Sequence, residues 1–182
     1  RGEVLLGKFL GLSCVIVFST FVGFGIGGII IGITVGATTW TNFLVFIGVT
    51  ILLGIIYLSL AIFTSSIAKK RSTSLGLAVV IFFWSMIVGM IIFGIYLGTG
   101  GDMMELMKGN AEFPDWLWAS LFFSPMDMSQ MAAAQAFGVT QFFNISMEAP
   151  GFVNLGSLVL VQLIWITVPL ILAFYFFNKR DI

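Results

Sequence analysis

Residues 9–68 read FLGLSCVIVFSTFVGFGIGGIIIGITVGATTWTNFLVFIGVTILLGIIYLSLAIFTSSIA, without one charged side chain. As a single helix this run would extend about 90 Å, roughly three times a ~30 Å hydrocarbon core. It must therefore hold two spans and a turn. The turn falls at residues 37–42, the polar cluster ATTWTN, where Trp40 suits a membrane interface. Spans are expected over 12–35 and 43–66. Lys69, Lys70 and Arg71 stop the second, a third apolar run covers 75–97, and a fourth covers 155–177 before Lys179 and Arg180. Each run is continuous rather than alternating, so the expectation is helices, not barrel strands. The fold class is all-α: a polytopic membrane helix bundle forming one transmembrane domain over residues 1–182.

Composition agrees. Of 182 residues, 59% are hydrophobic and 9% charged, with a mean hydropathy of +1.13. A soluble domain carries roughly 25% charged residues, and a disordered one more charge and less apolar surface. Eight Lys and Arg balance eight Asp and Glu, so there is no basic excess for nucleic acid. With no His in the sequence, His-based acid–base catalysis and Ser-His-Asp hydrolysis are excluded within these residues. Cys14 stands alone and cannot form an internal disulfide. The chain opens at Arg1 with RGEVLLGK, whose mixed charges fit no signal peptide, and further sequence is expected upstream.

The charges also set the expected topology. In a four-span arrangement Arg1, Lys8, Lys69, Lys70, Arg71, Lys179 and Arg180 share one side. The other side holds the short turn and residues 98–154, with Lys108 and six acids. The positive-inside rule puts both termini in the cytoplasm and 98–154 outside.

Gly28, Gly32 and Gly36 recur every four residues on one face of the first span. Small residues at that spacing admit a close helix neighbour. Gly94 and Gly98 repeat the pattern more weakly in the third span. Gly23-x-Gly25-x-x-Gly28 matches a dinucleotide-binding pattern, but it lies in mid-span rather than between a strand and a helix N-terminus. No GxxxxGK[ST] motif occurs. None of the four spans contains an ionisable Asp, Glu, Lys or Arg, so ion-coupled transport lacks its usual machinery here. Tyr57, Ser59, Thr64 and Gln162 are expected to bond between helices, and Pro169 to kink the last span.

In the external segment, Trp116 and Trp118 beside Asp115 read as an interfacial anchor. Ser124-Pro125-Met126-Asp127 is a helix start: a capping Ser, Pro in the first turn and an acid three residues after the cap. Gly138 suits the stop, which predicts a short interfacial helix over 125–137. Seven of nine Met lie here, and Met126, Met128 and Met131 are candidate Cu(I) contacts. Met also fills irregular amphipathic surfaces without any metal. Asn144-Ile145-Ser146 fits a glycosylation sequon.

Several stretches together carry a family resemblance. The opening RGEVLLGKFLG resembles the cytoplasmic segment of type 2 ATP-binding-cassette permeases, with Arg1, Gly7 and Lys8 matching its R-x-x-x-x-x-G-K portion. LLGIIYLSLAIFTSSIAKKRSTSLGLA is similar to that family's fourth span and following loop. SPMDMSQ resembles its N-P-x-D-x-x-R element, with Ser124 in place of Asn and Gln130 in place of Arg. FFNKRDI is similar to its F-x-x-[RK]-R-D-[IL] end. Within the class, the layout most resembles the permeases of the nitrous-oxide-reductase maturation system, implicated in copper or sulfur handling.

The resemblance implies six spans, of which these are the last four. It implies a separate cytosolic ATPase subunit, a second permease copy forming a homodimer, and residence in the cytoplasmic membrane among its lipids. Arg1, Glu3 and Lys8 would then lie near the ATPase contact. No cofactor and no catalytic residue is expected on this chain, with ATP bound by the partner. The function so implied is the permease subunit of an ATP-driven exporter. The alternative is a membrane relay that couples the ATPase to an extracytoplasmic partner docked on 98–154, without passing a substrate. An intramembrane enzyme would need paired Asp, His or a Ser/Lys pair in the spans, and has none of them.

Overall fold

The computed structural model describes residues 2–34, 39–68, 70–108, 113–139, 141–142, 145–146 and 149–179. Among them, four helices are long and apolar enough to cross a membrane. These are α1 (Gly2–Thr34), α2 (Trp40–Ile67), α3 (Arg71–Gly98) and α7 (Leu155–Lys179). Between α3 and α7 lie α4 (Met103–Met107), α5 (Asp115–Ser120), a 3₁₀ turn (Leu121–Phe123) and α6 (Pro125–Ala136). Two-residue strands β1 (Gln141–Phe142) and β2 (Ile145–Ser146) pair antiparallel, too little to alter an all-helical fold.

The first helix starts well before residue 12. Its 33 residues reach about 50 Å, beyond a ~30 Å core, so Glu3 and Lys8 sit on a helical extension of the span. Two clusters hold the bundle. At the charged end, Leu5, Ile62 and Ala173 are buried together with Phe9, Phe63 and Phe174 around them. This joins the start of α1 to the ends of α2 and α7, and gathers Lys8, Lys70, Arg71 and Lys179 at one end. At the opposite end, Val49, Trp118, Met128, Met131, Ala132, Val153 and Leu158 form the larger core.

That second core corrects the expectation for the external segment. α6 does not lie on the bundle's surface; it is wedged between α2, α3 and α7. Ser124, Met128 and Ala132 are fully buried. α5 and α6 form a re-entrant hairpin whose tip, Phe122 to Ser124, meets Ser85 of α3 and Trp165 of α7. Ser85 lies thirteen residues before the end of α3 at Gly98, so the tip is roughly 20 Å below that end. Irregular backbone at such depth needs polar partners from the protein, and Ser85 and Trp165 supply them to Ser124 and Phe122.

Candidate functional site

The hairpin tip is built from hydroxyls. Ser124 caps α6 with its Oγ, which accepts from the Asp127 amide at 3.1 Å. The Ser124 hydroxyl donates to the Ser85 carbonyl at 2.9 Å. Ser85 in turn commits its own hydroxyl to Phe82 O at 2.9 Å. Its Oγ is therefore left to accept from Tyr57, 2.6 Å away on α2. One polar chain thus runs from α2 through α3 into α6. On the other flank, Gln162 Nε2 donates to Ser129 Oγ at 2.9 Å, and Trp165 Nε1 donates to Phe122 O at 3.1 Å. Gln135 closes the outer end by donating to Val153 O at 2.8 Å. Such bonds are worth about 0.6 kcal/mol each on average in a membrane protein, so their number matters more than any one.

Gly138, at φ +65°, ends α6 in the left-handed region that suits glycine. Gln162 is wholly buried, and its Oε1 finds no donor among the described residues. Of the other expected interhelical partners, Ser59 reaches Trp165 O at a long 3.4 Å. Among the described residues Thr64 bonds only its own helix, at Ala61 O.

Beside the tip, a cleft of about 360 Å³ opens between α3 and the hairpin. Asp127 and Gln130 supply its polar edge, and Phe93, Phe113, Trp118 and Leu121 its apolar wall. Burial pushes the Asp127 carboxyl above its ordinary value, and the hydrogen bond with Ser124 lowers it part of the way back. The carboxylate fits here because α3 presents Gly89. A Cβ at that position would stand 2.6 Å from Asp127 Oδ2. Gly89 is the residue the sequence reading missed, since a lone glycine in an apolar span carries no periodicity. Chemically the cleft can hold a proton or a cationic group against an apolar wall.

The structure places the other candidate residues as follows. Gly28 is buried against the ring of Phe43, which a Cβ would overlap, and a Cβ on Gly32 would meet Trp40 at 3.3 Å. Both therefore pack against the start of α2 within this chain. Gly36 lies outside the described residues. Gly94 and Gly98 face open space. Gly54, not singled out by spacing, would bring a Cβ to 2.8 Å from Ile16 of α1.

Met128 and Met131 are buried in the core cluster, where packing accounts for them, while Met126 is only half-buried. Glu3 and Lys8 are exposed at the start of α1, and Arg1 lies outside the described residues. Met147, the sequon residue Asn144, Lys69 and Arg180 also lie outside them. Among the described residues no cluster of three His, Cys, Asp or Glu is arranged to hold a metal ion.

A family model described as "ABC-2 family transporter protein" matches residues 1–182. The chain is 28% identical over 194 residues to the "Probable ABC transporter permease protein NosY" of Stutzerimonas stutzeri, covering 99% of this chain and 64% of that protein. It is 29% identical over 193 residues to the protein of the same description from Pseudomonas aeruginosa, covering 100% of this chain and 65% of that one. The chain thus spans just under two thirds of the length of these curated relatives.

Proposed function

The chain belongs to the ABC-2 transporter family, and on that premise we propose that it serves as the membrane-spanning permease subunit of an exporter-type ABC transporter. In this reading ATP is hydrolysed by a separate cytosolic subunit, and the chain carries motion rather than chemistry. The observation that supports it best is that the family match extends over every residue of a bundle with four membrane-length helices. Its curated relatives are described as ABC transporter permeases.

The exposed Glu3 and Lys8 on the extension of α1, with Arg1 before them in sequence, are the proposed ATPase contact. The α1 extension is fixed to α2 and α7 through Leu5, Ile62 and Ala173. A push on it reaches the bundle as a rigid-body movement. Both termini then face the cytoplasm, and a second copy of the chain completes the pathway as a homodimer. Cu(I) contact by Met126, Met128 and Met131 belongs to this proposal as well.

A second reading rests on the hairpin. Because α6 touches α2, α3 and α7, movement of the spans shifts the external segment, as a relay to an extracytoplasmic partner requires. The test uses the full-length permease and its cognate ATPase in proteoliposomes. Charge reversal at Glu3 and Lys8 is expected to reduce ATPase association and permease-stimulated ATP turnover by about thirtyfold, given roughly 1 kcal/mol for each of the two lost contacts. Unchanged association and turnover would sink the contact assignment. ATP-dependent flux favours transport, whereas turnover coupled to partner release without flux favours the relay.

A further inference from the structure

At the end of the bundle that carries the basic residues, α2 and α3 splay apart around a groove of about 730 Å³. The α2 wall is made of small residues, Ala61, Ser65 and Ala68. They recur at helical spacing and leave the space unfilled. The α3 wall is an apolar stripe, Leu75, Val79 and Phe83, each exposed on the membrane-facing surface. Lys70 and Arg71 stand at the mouth of the groove. Both are exposed, and among the described residues neither forms an ion pair, the one ion pair found there joining Lys108 to Glu105. The mouth is also the N-terminus of the 28-residue α3, which begins without a side-chain cap and so adds the positive end of a helix dipole. At the deep end the Tyr57–Ser85 hydrogen bond and the packing of Tyr57 on Phe82 draw the two helices together.

We propose that this groove binds an anionic phospholipid. Its phosphate sits between Lys70 and Arg71, and one acyl chain lies along Leu75, Val79 and Phe83 as far as Tyr57. The shape and charge require both halves of that ligand. A cationic mouth alone would suit any phosphate, but the groove continues for about 18 Å along α3 from Arg71 to Phe83, in apolar surroundings open to lipid. A neutral lipid would fill the groove yet leave two cations and a helix N-terminus without a counter-charge among the described residues. Arg71 offers a planar fork for two phosphate oxygens, and Lys70 a point charge beside it. Basic pockets between spans are a recognised setting for anionic headgroups. The inference needs only that these helices cross a bilayer, and stands apart from the ATPase-contact reading.

Native mass spectrometry of the full-length protein, loaded with phosphatidylglycerol or with phosphatidylcholine of the same chains, tests it. The wild type is expected to retain phosphatidylglycerol roughly twenty-five-fold more tightly, since each of the two basic contacts adds about a fivefold factor. The Lys70→Gln/Arg71→Gln variant, both positions being on the surface, should lose that preference while its thermal unfolding without added lipid stays unchanged. Ala78→Leu, which fills the groove without touching the charges, should weaken phosphatidylglycerol too, and inorganic phosphate should not displace the lipid. Equal retention of the two lipids by the wild type would overturn the proposal. So would an unaltered preference in the charge variant, or displacement by phosphate alone.

Discussion

α1 and α2 are close to indistinguishable in hydropathy, both long and uncharged in their spans, although α1 carries most of the glycines. In the fold they differ sharply. α1 buries only Leu5 and Gly28 and leaves most of its surface uncovered by the other described residues, with Ile33 80% exposed. α2 buries eight residues, among them Ile47, Val49, Ile56 and Ser59, because it touches α1, α3, α6 and α7. Hydropathy measures whether a helix can leave water. It does not measure whether its neighbours are protein or lipid, since the two are equally apolar.

The largest expected effect tests that difference directly. Ile56 is fully buried, so Ile56→Ala leaves a cavity and should cost about 2–5 kcal/mol of stability. Ile33→Ala, on the exposed face of α1, should stay within about 0.5 kcal/mol. Unfolding both variants in mixed micelles of increasing denaturing detergent measures the gap. Equal losses would break the comparison.

A smaller effect sharpens it inside α1 itself. Gly28→Ala drives a methyl into the Phe43 ring, and Phe43 must turn aside, at about 1–3 kcal/mol. Gly23→Ala meets open space and should be neutral, or slightly stabilising through better helix propensity. The same pair of melts reads the contrast, and a cost at Gly23 as large as that at Gly28 would mean that α1 has a protein neighbour on its other face.

The smallest effect concerns the hairpin that makes α2 a core helix. Burial raises the Asp127 carboxyl in the folded state, so the native protein holds its proton to higher pH than the unfolded chain. Stability from this group is therefore greatest at low pH and falls as pH rises through the folded pKa. Asp127→Asn removes that dependence. Over about pH 4 to 7 the Tm of the Asn variant should gain on that of the wild type as pH rises. A gap that narrows instead would contradict the burial of this carboxyl.

Much of this was legible in sequence. The uncharged run 9–68, with Trp40 at its centre, demanded two helices, and Ser124-Pro125-Met126-Asp127 wrote out its own N-cap. The site around that cap was not legible. Ser124 meets Ser85 across 39 residues, Ser129 meets Gln162 across 33 and Phe122 meets Trp165 across 43. Nothing local distinguishes a serine that bonds the next helix from one that bonds its own, as Thr64 does. Gly89 was invisible for a related reason, since its lack of a side chain matters only because Asp127 lies against it.

By itself, then, the sequence determined that the chain leaves water, that it does so as helices, and which helix ends carry the charge. Those follow from the solvation of each side chain and the geometry of one helix. The tertiary structure alone decided which apolar helix became core and which keeps most of its surface outside it, and that α6 enters the bundle instead of lying across it. Those choices depend on shape and on polar partners far apart along the chain, where apolar neighbours of either kind cost the same.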